Sequence, residues 1–334
     1  MTKMISVIKN YLFNLKLLPK KPQLILRIIK NYFRILVLRK PCLRVVTLAM
    51  NYACQLSCQH CSADDFMQKE KSAKKIPLSR IPGILKEAEA CGAINIHFTG
   101  GDPLLNKDLY KMAAMVNTKR NILSLVTNGL LLKKESENLK KAKFDLVIVS
   151  LDSSNSEIHD TIRGAQGAYR KAWEGIEAAL QAGLKVMVAM VVTTENLLNG
   201  DVEEMIKLCR TKKLILQLLP ARSAGKLAGE KKVWINEEAK KKYHELVKEP
   251  DVRWDGQSSY LAPQCLAARE RLYINAAGDV FPCDFIQNGF GNVEHESVVD
   301  IWQRMLATAP FDKPRPECTS AFHPELLAHL SDRL

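Results

Sequence analysis

The chain has 334 residues, enough for one large domain or a domain with a smaller appendage. With 47% apolar and 25% charged residues it reads as globular, which sets aside disordered, fibrous and membrane-embedded classes. The net charge of +13 is uneven: residues 1–44 carry eleven Lys or Arg and no acid, while the rest carries 38 basic and 36 acidic side chains. Without a recognition motif, and with its aromatics set among aliphatics, this basic stretch does not predict nucleic-acid binding. Nine cysteines without an exported-protein signature fit a reducing, cytoplasmic setting in which thiols are free to hold metal.

Residues 1–42 read as two basic amphipathic helices broken at Pro19-Lys20-Lys21-Pro22. The first carries Met4, Ile5, Ile8, Tyr11, Leu12 and Leu15; the second carries Leu24, Ile25, Ile28, Ile29, Tyr32, Phe33 and Leu36. Arg27, Lys30 and Arg34 share one face of the second. The interruption argues against a transmembrane span of about 20 apolar residues and against a secretory leader. Nor does Ala53-Cys54 suit lipid attachment, since Asn51 stands where an apolar residue is wanted. The segment predicts a helix pair lying on an anionic membrane surface, peripheral to the inner face. The alternative is that it packs on the body and keeps its charges for solubility.

Residues 43–225 alternate strand-like and helix-like stretches. Strands are expected at 43–50, 94–99, 122–127, 146–150, 186–192 and 214–219, with helices between them, for example at 77–91 and 168–182. Six such units predict a parallel sheet covered by helices, open or curled. A charged connector follows at 226–262, with a helix near 236–248. In the final segment, 263–334, short strands flank Ala277-Gly278-Asp279 as a hairpin, and a helix begins near Ser297.

Directly after the first strand, Cys54, Cys58 and Cys61 stand at C-x-x-x-C-x-x-C. Coincidence would give this spacing roughly 0.7% of the time. Three thiolates on one short loop can hold three irons of a cubane 4Fe–4S cluster, leaving the fourth open to substrate or cofactor. A zinc site more often shows paired C-x-x-C knuckles. One helix face is a further reading, but Gln55, Ser57, Gln59 and His60 are polar. After the second strand, Gly100-Gly101-Asp102 lets backbone approach a ligand, with a carboxylate able to receive an ammonium group. Asn128, Ser150 and Asp152 follow later strands as small polar groups, and Arg163 could fork onto a carboxylate. Two lone cysteines such as Cys265 and Cys283 are more often buried small hydrophobes. Cys42, Cys91 and Cys209 read as structural, and His97, His244 and His329 are not expected to be ligands.

The cysteine triplet resembles that of radical S-adenosylmethionine (SAM) enzymes. The resemblance covers about residues 43–225 and extends to Gly100-Gly101-Asp102, where the family has Gly-Gly-Glu, and to Asn128, Ser150, Asp152, Arg163 and, less specifically, Asn196 and Arg222. It implies a (β/α)6 partial TIM barrel, with a 4Fe–4S cluster on Cys54, Cys58 and Cys61 and SAM held by Gly100, Gly101, Asp102, Asn128, Ser150, Asp152, Arg163 and Asn196. The Cys265-x17-Cys283 spacing around a Gly-Asp hairpin, then Gly291-Asn292-Val293, resembles the SPASM/twitch extension. This implies a small α+β domain with an auxiliary iron–sulfur cluster on Cys265, Cys283 and Cys318. A full SPASM pattern has more cysteines, so an open iron or a non-cysteine ligand such as His323 is expected, or a cluster-free extension. The implied activity is reductive cleavage of SAM to a 5′-deoxyadenosyl radical for hydrogen abstraction, fed by a flavodoxin- or ferredoxin-type donor. The substrate, whether peptide, lipid-linked or small molecule, is not identified; a membrane-seated N-terminus would favour lipid chemistry. The rival reading is a non-catalytic iron–sulfur carrier or assembly protein.

Overall fold

The computed structural model describes residues 21–69, 75–230 and 235–333. Six strands pair in chain order, each parallel to the next: β1 (Val45–Ala49), β2 (Asn95–Thr99), β3 (Ile122–Thr127), β4 (Leu146–Ser150), β5 (Lys185–Val192) and β6 (Ile215–Pro220). These match the expected strands to within two residues. Their Val-, Ile- and Leu-rich runs suit strands covered on both faces. Helices α2 (Ile81–Ala90), α3 (Leu109–Met115), α4 (Leu132–Lys141), α6 (Ala168–Gln181) and α7 (Asp201–Thr211) carry the chain back between parallel strands. Their apolar stripes, such as Ile84, Leu85 and Ala88 of α2 or Ala172, Ile176 and Ala179 of α6, bury against the sheet in one core.

The sheet goes further than the six units. β7 (Val252–Arg253) adds parallel to β6, and β8 (Arg271–Ile274) adds parallel to β1, with β9 (Val280–Phe281) antiparallel on β8. The strand order is β7-β6-β5-β4-β3-β2-β1-β8-β9. The C-terminal hairpin therefore continues the barrel sheet through Val45↔Arg271 to Leu48↔Ile274. Between the two sheet edges runs a seam, bridged where Arg271 Nη1 meets Asp255 Oδ2 at 2.7 Å, just after β7. The connector contributes α8 (Glu237–Leu246), and α9 (Val298–Leu306) packs beside α2.

Helix α1 (Pro22–Leu36) lies across the N-terminal ends of the strands. Leu24, with Ile28, Tyr32 and Ile35, packs on Cys42, Ile94 and Tyr260. Lys21 Nζ donates to Asn121 O (2.8 Å), Arg27 Nη2 to Ala93 O (2.6 Å) and Asn31 Nδ2 to Gly92 O (2.7 Å), all in turns that feed β2 and β3. The opposite face leaves Leu26, Ile29, Phe33 and Leu36 about half to two-thirds exposed. The first expected amphipathic helix lies outside the described residues. No described helix is long and apolar enough to cross a membrane.

Candidate functional site

β1 releases the chain into the cysteine loop, residues 51–61, at the C-terminal side of the sheet. Backbone bonds from three places hold this loop. Gly101 N donates to Asn51 O (2.9 Å) and Asp102 N to Ala53 O (2.8 Å) after β2. Gln59 N donates to Ile162 O (2.9 Å) in α5 (Ser156–Arg163), and Lys226 N to Cys61 O (3.0 Å) after β6. A Cβ on Gly101 would overlap the carbonyl of Ala53, and one on Gly225, at φ +59°, the carbonyl of Cys61. The room that the sequence reading reserved for a ligand at Gly101 is taken, at that Cβ position, by the loop's own backbone.

The thiols of Cys54, Cys58 and Cys61 are free and open on one cavity of about 350 Å³. Nitrogen donors face two of them: Leu56 N at 3.5 Å and Asn128 Nδ2 at 3.7 Å from Cys54 Sγ, and Arg163 Nη1 at 3.7 Å from Cys58 Sγ. Burial pushes the Cys54 and Cys61 thiols up, and the neighbouring cysteines add to it. Holding them as thiolates therefore calls for positive charge beyond the protein's own. Among the described residues, no three or more His, Cys, Asp or Glu side chains gather at a position for a metal ion.

Five of the eight residues expected around SAM line this cavity: Gly100, Gly101, Asn128, Ser150 and Arg163. The other three stand behind it. Asp102, fully buried, accepts from Leu104 N (2.9 Å), Thr127 Oγ1 (2.9 Å) and Asn128 N (3.3 Å), tying the ends of β2 and β3 together. Asp152 Oδ2 meets Arg163 Nε at 2.7 Å and His60 Nε2 at 3.5 Å. Asn196 forms a capping box with Thr193 and donates to Val191 O (3.0 Å).

The second cysteine set gathers in the seam. Cys265, Cys283 and Cys318 line a cavity of about 30 Å³ with Arg222, Tyr243 and Ser320. Arg222 Nη2 lies 3.4 Å from Cys318 Sγ, and its guanidinium stacks 3.7 Å over the Phe285 ring. A hydrogen bond with Cys265, helped by the Arg222 charge, draws Cys318 well below the usual thiol range, whereas burial pushes Cys283 up to about 12. His323, a candidate fourth ligand, instead directs Nε2 at Glu317 (3.0 Å) and Nδ1 at Glu325 (3.5 Å).

Two family models match in series: the Radical SAM superfamily over residues 48–209 and the SPASM iron-sulfur cluster-binding domain over 265–320. The chain carries a radical SAM domain followed by a SPASM domain. Among curated relatives, the "Probable GTP 3',8-cyclase" of Methanosarcina acetivorans is 34% identical over 50% of this chain and 51% of its own. The chain thus spans about half the length of such relatives. The "AdoMet-dependent heme synthase" of Oleidesulfovibrio alaskensis is 24% identical over 82% of this chain and 78% of its own. The crystal structure of Streptococcus suis SuiB bound to S-adenosylmethionine shares the fold at TM-score 0.62 and 16% identity, covering 84% of this chain and 70% of that one. The partial barrel and the SPASM extension expected from the sequence are thereby borne out.

The radical SAM cofactors, a 4Fe–4S cluster with SAM and an auxiliary cluster in the SPASM domain, suit the donor sets. Both trios are soft thiols, each facing a cavity with cationic or amide donors beside the sulfurs. Several residues of this site escaped the sequence reading. Asp284, next to Cys283, is half-buried on the main cavity, its Oδ1 buried and without a hydrogen-bond partner among the described residues, and desolvation raises its pKa. Asp255 and Arg271 share the seam. His97, expected not to be a ligand, lines the main cavity from β2 and bonds Ser124 Oγ through Nδ1 at 2.9 Å. Adjacency to Cys283 could have marked Asp284. Nothing local marks Asp255, whose partners Gln217 and Arg271 come from other strands.

Proposed function

We propose that this chain is a radical SAM enzyme in which Cys54, Cys58 and Cys61 hold the SAM-binding cluster and Cys265, Cys283 and Cys318 an auxiliary one. When bound, the reduced cluster and SAM supply a 5′-deoxyadenosyl radical that abstracts hydrogen from an unreactive C–H bond. The observation that carries this reading is the opening of three free thiols, four strand-end residues and Arg163 of α5 onto one cavity, beside a second thiol trio across Arg222. Gly100, Gly101, Asn128 and Ser150 would bind SAM, while Asp102, Asp152 and Asn196 position the residues that touch it. Arg163, fixed by Asp152 and facing Cys58, places positive charge beside the sulfurs. Asp284 Oδ1 is the group able to hold a proton at the cavity wall. A flavodoxin- or ferredoxin-type protein would supply the electron.

The test is Cys54→Ala in the full chain, reconstituted anaerobically with iron and sulfide. Loss of about half the iron and of reductant-dependent 5′-deoxyadenosine formation is expected; retained deoxyadenosine formation would sink the assignment. Protein that takes up iron but never cleaves SAM would support the electron-carrier alternative.

The exposed apolar face of α1, flanked by Lys30, Arg39 and Lys40, supports peripheral binding to an anionic membrane. Because α1 covers the N-terminal strand ends, such binding would turn the cysteine loop away from lipid. That arrangement favours a polar substrate arriving from the aqueous side over a lipid one, as do Gln217, Arg271 and Asp284 on the cavity wall.

A further inference from the structure

The auxiliary trio leaves one corner of a cubane without a thiolate, and the seam offers few oxygen or nitrogen donors to fill it. Asp255 is bonded by Arg271 Nη1 and by Gln217 Nε2. Ser320 Oγ lies 3.5 Å from Cys318 Sγ, sharing a hydrogen bond with it. His323 is engaged by two carboxylates. Asp284 opens on the main cavity instead. Tyr243 differs from all four. It projects from α8, is 1% exposed, and its hydroxyl has no hydrogen-bond partner among the described residues, although it lines the same small cavity as Cys265, Cys283 and Cys318. Its ring is fixed on one side by Phe322, at 5.6 Å between centroids.

An orphaned buried hydroxyl is costly to a folded protein, so its retention on the wall of a cavity lined by three thiols calls for a partner that arrives later. We propose that Tyr243 completes the auxiliary cluster, its phenolate oxygen ligating the iron that the three cysteines leave open. This rests on the auxiliary-cluster reading above. Ligation exchanges the O–H bond for an Fe–O bond, with the proton released to solvent and no change in electron count. Burial drives the hydroxyl pKa well above its usual value, with Cys318 adding to the effect and Arg222 opposing it. The free phenol is therefore neutral until the metal displaces its proton. An oxygen ligand in place of a fourth thiolate would also close that corner to substrate, giving the cluster an electron-transfer role rather than a substrate-anchoring one.

The experiment uses the full chain carrying Cys54→Ala, Cys58→Ala and Cys61→Ala, so that only the auxiliary site can load. Iron and sulfide are reconstituted anaerobically, and resonance Raman spectra are taken alongside iron counts. Phenolate ring modes, enhanced through a tyrosinate-to-iron charge-transfer band, are expected in this protein and should vanish on adding Tyr243→Phe. Metal-free Tyr243→Phe should melt no lower than the parent, since the lost hydroxyl had no partner. A loaded cluster without phenolate modes, or with the same spectrum after Tyr243→Phe, overturns the proposal. Failure of the parent to bind iron overturns the auxiliary-cluster reading itself, and the Tyr243 ligand with it.

Discussion

The carboxylate of Asp152 and the guanidinium of Arg163 meet at 2.7 Å with 2% and 9% of their side chains exposed. Burial works to raise the Asp152 pKa, but the charges of Arg163 and His60 outweigh it and hold the carboxyl below its usual range. Its stabilising effect is therefore present above about pH 4 and lost as pH falls through the lower folded value. Asp152→Asn should cost about 3–5 kcal/mol, because Arg163 is left charged and buried; a urea midpoint equal to that of the parent would contradict it. His97 and His159 act in a higher window. Burial lowers both to about 4, and His159 Nδ1 accepts a backbone N–H from Asp152 at 3.2 Å, as a neutral ring must. The unfolded chain takes up protons below about pH 6.5, so stability is full above that and falls toward pH 4, by roughly 2 kcal/mol per histidine at pH 5. His97→Gln should show a distinctly smaller drop between pH 7.5 and 5 in denaturant titrations. An unchanged drop would mean that His97 does not titrate this way.

At the scale of elements, the cysteine loop is shaped by what packs on it. The segment after β2, the end of α5 and the segment after β6 all bond its backbone, and Gly101 and Gly225 permit the contact. Gly101→Ala should force the loop off its seat at a cost of about 1–3 kcal/mol. Iron uptake at Cys54, Cys58 and Cys61 should fall several-fold while far-ultraviolet dichroism stays native. Gly289→Ala, whose added methyl would meet only the Phe281 ring at 3.6 Å, serves as the control and should load normally. Equal loading of the two variants would remove the packing argument. The six βα units were legible because each strand is a long apolar run between amphipathic helices. The C-terminal hairpin of β8 and β9 was legible too, around its Gly-Asp turn. β7 was not, nor was the parallel pairing of β8 with β1, since a two-residue strand carries no period and both are defined only by their neighbours.

Across the whole molecule, α1 and the cysteine loop occupy opposite ends of the sheet. The buried face of α1 seals the N-terminal strand ends, and its other face presents Leu26, Ile29 and Phe33 among basic residues. Replacing Leu26 and Phe33 by Asp should abolish co-sedimentation with phosphatidylglycerol-containing vesicles while iron loading and melting temperature persist, because neither side chain supports the core. Undiminished sedimentation would assign any membrane affinity elsewhere. The basic composition of the N-terminus was plain in the sequence. That one helix would divide between sealing the barrel and facing outward was not, since its apolar residues encircle more than one face.

The sequence by itself determined the candidate thiols of the principal site and the class of fold. Cys54, Cys58 and Cys61 lie within eight residues of one another, and alternating apolar periods impose a parallel sheet. Only the tertiary structure decided which candidates touch the cavity. Asp102, Asp152 and Asn196 share a motif position with residues that do, yet their side chains turn inward to brace strand ends. It also brought Cys265, Cys283, Cys318, Arg222 and Tyr243 into one seam from both edges of the sheet. Loop side chains follow no period, and contacts between distant segments are set by packing, so neither could be read along the chain.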